Sequence, residues 1–382
     1  MQFDHIAEDK MDLVFAQWVK QLLAASLEQL AMKLAAAHLG RRANSLGRTI
    51  FRAEKVANEV AVLKYLRRHT AIPVPEVHGS GKTWTGPYIV MTYIDGTPLA
   101  NILKPKFPKI GALAEGSNGE FTISRRPFTF NMNELPTSAN VPPHVLPNLN
   151  AIFESAADYF KSLATQHMLH FLTQRNDAIE DETDCRKKFI ARCLLNKVVQ
   201  RIELHNGPLQ LYCDDFRPSN VLVDAQNGRI SAAIDWESTY VAPVEFSYVA
   251  PWWLLLQASE DWESDLTEFL TRYKPRFHLF LDALRAAESD AISNGTLHES
   301  QRLSPHMEKS LDNARYSSMF DEIYWAFIDE AYYGELTSLE DRLQHLDSEA
   351  WTQLDKNYDI KMKQAEGDMI EPHYSIDDVM EL

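Results

Sequence analysis

The chain has 382 residues, 45% of them hydrophobic, and a formal net charge of −16. That acidity argues against nonspecific nucleic-acid binding and against adsorption to anionic membranes. Its three cysteines, Cys185, Cys193 and Cys213, form no CxxC pair, so neither a disulfide framework nor a cysteine-based zinc site is suggested. No apolar run reaches transmembrane length and the N-terminus lacks a secretory pattern, which makes the cytoplasm the expected compartment. The length suits two lobes.

Asp12 to Leu39 reads mostly as helix, with Leu13, Trp18, Leu22, Leu23, Leu27, Leu30 and Leu34 near helical spacing. A second helix is expected from about Ala53 to His69, with Val56, Val60, Leu63 and Leu66 on one face; Ile72-Pro73-Val74-Pro75 ends it. Between them, His38 to Ile50 is basic but too poor in apolar residues for several strands, and no GxGxxG or P-loop pattern occurs there. Arg48 or Arg52 is the default phosphate contact of this connector, which reads equally well as a solvated link. Pro87 to Ile94 is an apolar strand broken by Asp95-Gly96. Asn101 to Asn150 reads as irregular. Helices follow over Ala151–His170 and Ala178–Ile202, and, near the C-terminus, over Tyr248–Leu256, Leu266–Glu288 and Asp312–Tyr332. Residues after about Tyr358 read as a polar, acidic tail.

The most informative stretch runs from Leu211 to Glu237. Val221-Leu222-Val223 is a short buried strand, Asn227-Gly228 a tight turn, and Ile230 to Ile234 the returning strand. An antiparallel hairpin places the start of its first strand beside the end of its second, so Asn220 and Asp235 are expected to be neighbours. Asp215 lies in the loop feeding the same end. Two carboxylates and an amide oxygen converging on one point repel one another unless a cation or proton is present, and such oxygens suit magnesium. Asp215 is then left to take a proton from an attacking hydroxyl or amine. Asn and Asp at the ends of a hairpin also serve simply as turn and cap residues.

The segment Cys213-Asp214-Asp215, four residues, Asn220, and a hairpin ending in Ile234-Asp235-Trp236 resembles the catalytic loop and metal-binding segment of the aminoglycoside phosphotransferase and choline kinase-like enzymes. Those enzymes share the protein-kinase-like fold. The usual pattern opens with His-Gly-Asp, so Cys213 and Asp214 depart from it, and Cys213 cannot reproduce an imidazole's hydrogen bonds. The resemblance implies that Asp215 is the catalytic base and that Asn220 and Asp235 are magnesium ligands. It extends to Glu54–Leu63 and to Ile94–Leu99. There Glu59 resembles the helix glutamate that orients a basic residue over the phosphates, though a surface glutamate has the same look. Backbone groups of Thr92, Tyr93 and Ile94 are expected to meet adenine. Glu237, Tyr240 and Glu245 are candidates for a cleft that attracts a cationic or amino-bearing acceptor, the two glutamates reading equally well as caps or salt bridges.

The implied architecture is α+β and two-lobed: a reduced nucleotide lobe over residues 1–100, a large mainly helical lobe over 101–358 and a tail over 359–382. The strands that normally precede the Glu59 helix, with the loop that covers ATP, are missing. An incomplete gene model ranks first among the explanations, because the match resumes abruptly; an active variant with a reduced cover and a non-catalytic relative are the others. The expected function is ATP- and magnesium-dependent phosphorylation of a hydroxyl or amine on a small molecule, with a catalytically impaired interaction protein as the alternative. Neither nucleic acid nor a membrane is expected as a partner.

Overall fold

A computed structural model describes residues 3–24, 51–83, 86–92, 106–201, 208–224, 226–227, 229–249, 251–255, 266–308, 320–367 and 370. The first part of the helix expected over Asp12 to Leu39 lies in α1, His5–Ala24, and residues 25–39 lie outside the described residues. The basic connector with Arg48 lies outside the described residues, as do Tyr93 and Ile94. The chain forms two compact units, one of residues 2–242 with 346–382, the other of residues 243–345.

In the first unit, α2 spans Arg52–His69. It contains neither Gly nor Pro, and Arg67, Arg68 and His69 in its last turn complement the helix dipole. Val56, Ala61, Val62, Leu63 and Leu66 are buried, and the last four pack in one core with Leu113, Leu211, Val221, Ala233, Trp236 and Val241. The same helix also buries Lys55, Asn58 and Glu59, which with Val62 form an i, i+3, i+4, i+7 stripe. Three of the four positions on that stripe are therefore polar.

Two antiparallel strands follow, β1 (Val77–Thr83) and β2 (Gly86–Met91), paired from Val77↔Met91 to Thr83↔Gly86. The sequence signalled β2 but not the glycine-rich β1. Strand β3 (Lys106–Phe107) joins a three-stranded sheet described below. The segment expected to be irregular instead contains the hairpin β4 (Ala112–Glu115) with β5 (Phe121–Arg125) and a helix, α3 (Phe130–Ser138). Phe121 and Ile123 of β5 pack against the α2 core, and the Thr129 side chain caps α3 by accepting from Met132 N. Helices α4 (Ala156–Thr173) and α5 (Glu182–Arg201) match the two expected helices.

Strand β6 (Leu209–Cys213) lies between β3 and β9 (Thr239–Pro243) in the sheet order β3-β6-β9. Strands β7 (Val221–Val223) and β8 (Ile230–Ala233) form the expected hairpin. The second unit holds α6 (Leu266–Ser293), and short 3-10 turns at Val244–Tyr248 and Trp252–Leu255 in place of the continuous helix expected there.

Of the tail expected over 359–382, residues 359–366 are instead the last two turns of α7, Ser348–Glu366, which belongs to the first unit, and residues 371–382 lie outside the described residues. Lys361 is buried and donates to the Gln174 carbonyl, and Leu354 is buried one face-repeat earlier. Ile370 exchanges backbone hydrogen bonds with the Asn176 side chain, whose amide also donates to Asp4 Oδ1. The polar composition there reflects a helix anchored by buried polar pairs. Overall the protein combines a small strand-containing region with a large helical one, the expected α+β class. No described helix is long and apolar enough to cross a membrane.

Candidate active site

The β7–β8 register pairs Val221 with Ala233 and Leu222 with Ala232, with an irregularity before Val223. Ile234 N donates to the Asn220 carbonyl at 2.8 Å, which brings the two hairpin ends together as the sequence spacing requires. Asn220 is buried, and its amide nitrogen donates to the Asp215 carbonyl at 2.8 Å and to Asp215 Oδ2 at 3.3 Å. Asp215 Oδ1 lies 3.2 Å from Arg217 Nε. Asp235 has a φ of +60°, a left-handed conformation that aspartate tolerates better than most residues. Such a backbone persists only where surrounding contacts hold it. One of these comes from Cys213, whose thiol points at the Asp235 carbonyl at 4.0 Å. Burial pushes that thiol's pKa far up, so it is a neutral donor and not a nucleophile.

Asp214, at the other unusual position of the motif, is a structural tie. Its backbone N–H donates to the Ser238 carbonyl at 3.0 Å. Its carboxylate accepts from Phe130 N at 3.0 Å and from the Tyr240 hydroxyl at 3.2 Å. Burial pushes its pKa up to about 7. Tyr240 is thus a buried partner of Asp214, only 1% exposed, where the sequence reading had it lining a substrate cleft. Aromatic bulk inside the β6–β9 sheet found a polar handle for its hydroxyl.

Glu59 sits on the polar stripe of α2 and is buried, not a surface glutamate. It accepts a backbone hydrogen bond from Trp236, and its pKa rises to about 7 because of burial first and the Asp235 charge second. One turn earlier, Lys55 forms an ion pair with Glu237 inside the protein, with 8% and 23% of the two side chains exposed. Burial lowers the Lys55 pKa, while Asp235, Glu59 and Asp215 raise it. Burial also raises the pKa of Asp215, with Arg217 opposing. Asn58, between Lys55 and Glu59, donates to the carbonyls of Glu237 at 2.6 Å and Thr239 at 2.8 Å. Helix α2 is therefore fastened to the segment following β8 through three consecutive polar contacts of its buried face.

Of the residues expected at the site, Asp215, Asn220, Asp235, Glu59 and Glu237 come together. Glu245 lies in the turn Val244–Tyr248 of the second unit. Thr92 is exposed, its N–H donates to the Glu76 carbonyl and its hydroxyl meets His78 Nε2 at 3.0 Å. Lys55 and Asn58 were not anticipated. No local signal marked them, since both fall outside the apolar face of Val56, Val60, Leu63 and Leu66.

Amide and carboxylate oxygens of the kind that Asn220 and Asp235 carry are the donors a magnesium ion takes. The Asn220 amide nitrogen is committed to Asp215, and its amide oxygen lies 3.5 Å from the Ser219 hydroxyl. Among the described residues no group of three His, Cys, Asp or Glu side chains forms a metal cluster.

One amide and one acid at the hairpin end, Asn220 and Asp235, stand beside the loop that carries Asp215. The match to the family described as the phosphotransferase enzyme family covers residues 15–117 and 139–286, and the chain belongs to that family. The chain is 24% identical over 228 residues to clavilactone A biosynthesis cluster protein Y of Ampulloclitocybe clavipes, a match spanning 56% of each chain. Similar solved structures include a GDP complex of an aminoglycoside 2′-phosphotransferase variant, 15% identical with a TM-score of 0.36, covering 88% of this chain and 99% of that one. Another is a macrolide 2′-phosphotransferase of type I, 16% identical with a TM-score of 0.28, covering 90% and 97%.

Proposed function

We propose that the protein transfers the terminal phosphoryl group of ATP to a hydroxyl or amine of a small molecule, with magnesium. The observation that carries this reading is Asn220, whose side chain holds the Asp215 loop at 2.8 Å while its carbonyl receives Ile234 N beside Asp235. Asp215 orients the acceptor and takes its proton; with its pKa raised by burial it is a better base than an exposed carboxylate. Asn220 and Asp235 would hold magnesium, which neutralises phosphate oxygens and lowers the repulsion that an incoming oxygen meets. Glu237, whose charge is shared with Lys55, is the cleft residue proposed to favour a cationic or amino-bearing acceptor. The backbone around Thr92 is the proposed adenine contact.

The test is ATP turnover against a panel of amino and hydroxyl acceptors. Asp215→Asn and Asp235→Asn should each lose at least about a hundredfold in turnover, the scale of a lost base or metal clamp. Near-normal phosphorylation by both variants would sink the assignment. One observation favours a second reading, a non-catalytic binding protein: Lys55 already neutralises part of the acidic cluster. Nucleotide binding measured with and without magnesium separates the two, since magnesium-dependent binding with no turnover on any acceptor supports the second.

A further inference from the structure

We infer that Asp214 is a positioning residue for Asp215: its carboxylate pins the loop that carries the proposed base to the first turn of α3 and to β9. The inference rests on the reading of Asp215 as the base. Strand β6 ends at Cys213, so Asp214 is the first residue of that loop and Asp215 the second. On the far side the loop is held by Asn220, whose amide donates to the Asp215 carbonyl at 2.8 Å. On the near side the Asp214 backbone N–H reaches the Ser238 carbonyl at 3.0 Å, and both side-chain oxygens are taken. Oδ2 accepts from Phe130 N at 3.0 Å, and Oδ1 accepts from the Tyr240 hydroxyl at 3.2 Å. Bonds to both oxygens of one carboxylate fix its plane as well as its place. Glycine, which the family pattern usually places here, could make neither.

Both anchors are themselves held. Phe130 opens α3, where the first N–H groups have no partner inside the helix and the dipole favours negative charge. The Thr129 side chain accepts from Met132 N, so Asp214 serves a different donor of the same turn. Met132, Leu135 and Ala139 of this region bury against Val141 and Leu146, and the Ser138 carbonyl accepts from Asp4 N at the other end of α3. Tyr240 is 1% exposed, with the rings of Tyr159 and Tyr212 edge-on at 6.1 and 6.0 Å. Its neighbour Val241 exchanges two backbone hydrogen bonds with Gly111. Arg217, which meets Asp215 Oδ1 at 3.2 Å, is 45% exposed and adds little restraint by itself. Cutting the Asp214 bonds therefore frees the near end of the loop, and a base displaced by about 1 Å can lose on the order of a hundredfold in rate. An aspartate kept only to cap α3 would change stability and leave the turnover of each folded molecule alone.

The test compares magnesium-dependent ATP turnover, with the acceptor panel and with water alone, per folded molecule counted from thermal melting curves. Asp214→Ala removes both bonds but leaves the Phe130 N–H and the Tyr240 hydroxyl without their acceptor, so it should cost stability as well. The informative variant is Asp214→Ala with Tyr240→Phe, which removes the hydroxyl together with its acceptor and recovers part of that stability. Its kcat should fall on the order of tenfold or more while KM for ATP stays within about twofold, because the bonds hold the loop of the base and not the nucleotide. Asp214→Asn accepts from Phe130 N and offers its amide to the Tyr240 oxygen, so it should recover most of the loss. A native kcat in the double variant, beside a lost one in Asp215→Asn, overturns the positioning role and leaves the base standing. A kcat no better in Asp214→Asn than in Asp214→Ala overturns it too. Native turnover in Asp215→Asn, or no turnover by the native chain on any acceptor or water, overturns both readings.

Discussion

Replacing Glu59 by glutamine should change how stability depends on pH. Glu59 is 7% exposed, and its pKa is raised from 4.5 to about 7, by burial chiefly and by Asp235 next, against the opposing Lys55 charge and the Trp236 N–H. The unfolded chain ionises this carboxyl near its ordinary value, whereas the folded chain keeps the proton until the pH nears 7. Between those values the folded state binds more protons than the unfolded one, so stability falls as pH rises. The separation of about 2.5 pH units, at about 1.4 kcal/mol each, amounts to about 3 kcal/mol. This contribution is fully present below about pH 4.5 and gone once the pH has passed about 7. Glutamine accepts the same Trp236 hydrogen bond and never ionises. Denaturant midpoints of the two proteins should therefore converge in acid and separate above neutrality, with Glu59→Gln the more stable. Parallel curves across that range, or a gap that opens toward acid, would refute the reasoning.

Asn58→Ala should cost about 3 kcal/mol in denaturant unfolding, because it strips a buried donor from the Glu237 and Thr239 carbonyls; a loss below about 1 kcal/mol would show that Asn58 is no clamp. Gly111 has a φ of +156°, and an added Cβ would lie 2.5 Å from the Arg125 carbonyl oxygen and 2.8 Å from the Ile123 methyl. Gly111→Ala should cost upwards of about 3 kcal/mol or prevent folding, whereas Gly86→Ala, at φ +115° with nothing within 4 Å, should cost about 1 kcal/mol of backbone strain alone. Matching melting temperatures for the two glycine variants would falsify the steric argument at Gly111.

The hairpin was legible because two signals agreed: a β-branched apolar run and polar residues at both of its ends. Asn220 and Asp235 follow from antiparallel pairing, which sequence spacing nearly determines. Strands β4 and β5 were not legible. Each is short, and their pairing depends on Gly111 and Gly119 taking positive φ in a stretch whose composition looks like loop. On α2 the error was in the inward face. Val62 is fully buried while Val60 is only partly so, and Lys55 and Asn58 occupy positions that an apolar pattern leaves to solvent. Burial of those polar groups depends on acceptors nearly 180 residues away, which no local pattern carries. Glu59 was identified from resemblance, yet its raised pKa comes from Asp235 and tertiary burial.

That polar face also bears on why the cluster exists. A helix needed only to cover a core would do better with apolar residues at 55, 58 and 59, since burying charges costs several kcal/mol even when they are paired. Here one face holds a lysine, an amide and a glutamate against Asp215, Asp235 and Glu237, and Asp235 is held in a left-handed backbone besides. Unfavourable local choices concentrated at one point, with ordinary packing around them, are what a site selected for binding charge looks like. The same physics separates two roles within the motif. Asp214 and Cys213 spend their polar groups on Phe130, Tyr240, Ser238 and the Asp235 carbonyl, all internal. Asp215 meets Asn220 through Oδ2 and Arg217 through Oδ1, and it is the acid of that loop to which the proposed reaction assigns the acceptor's proton.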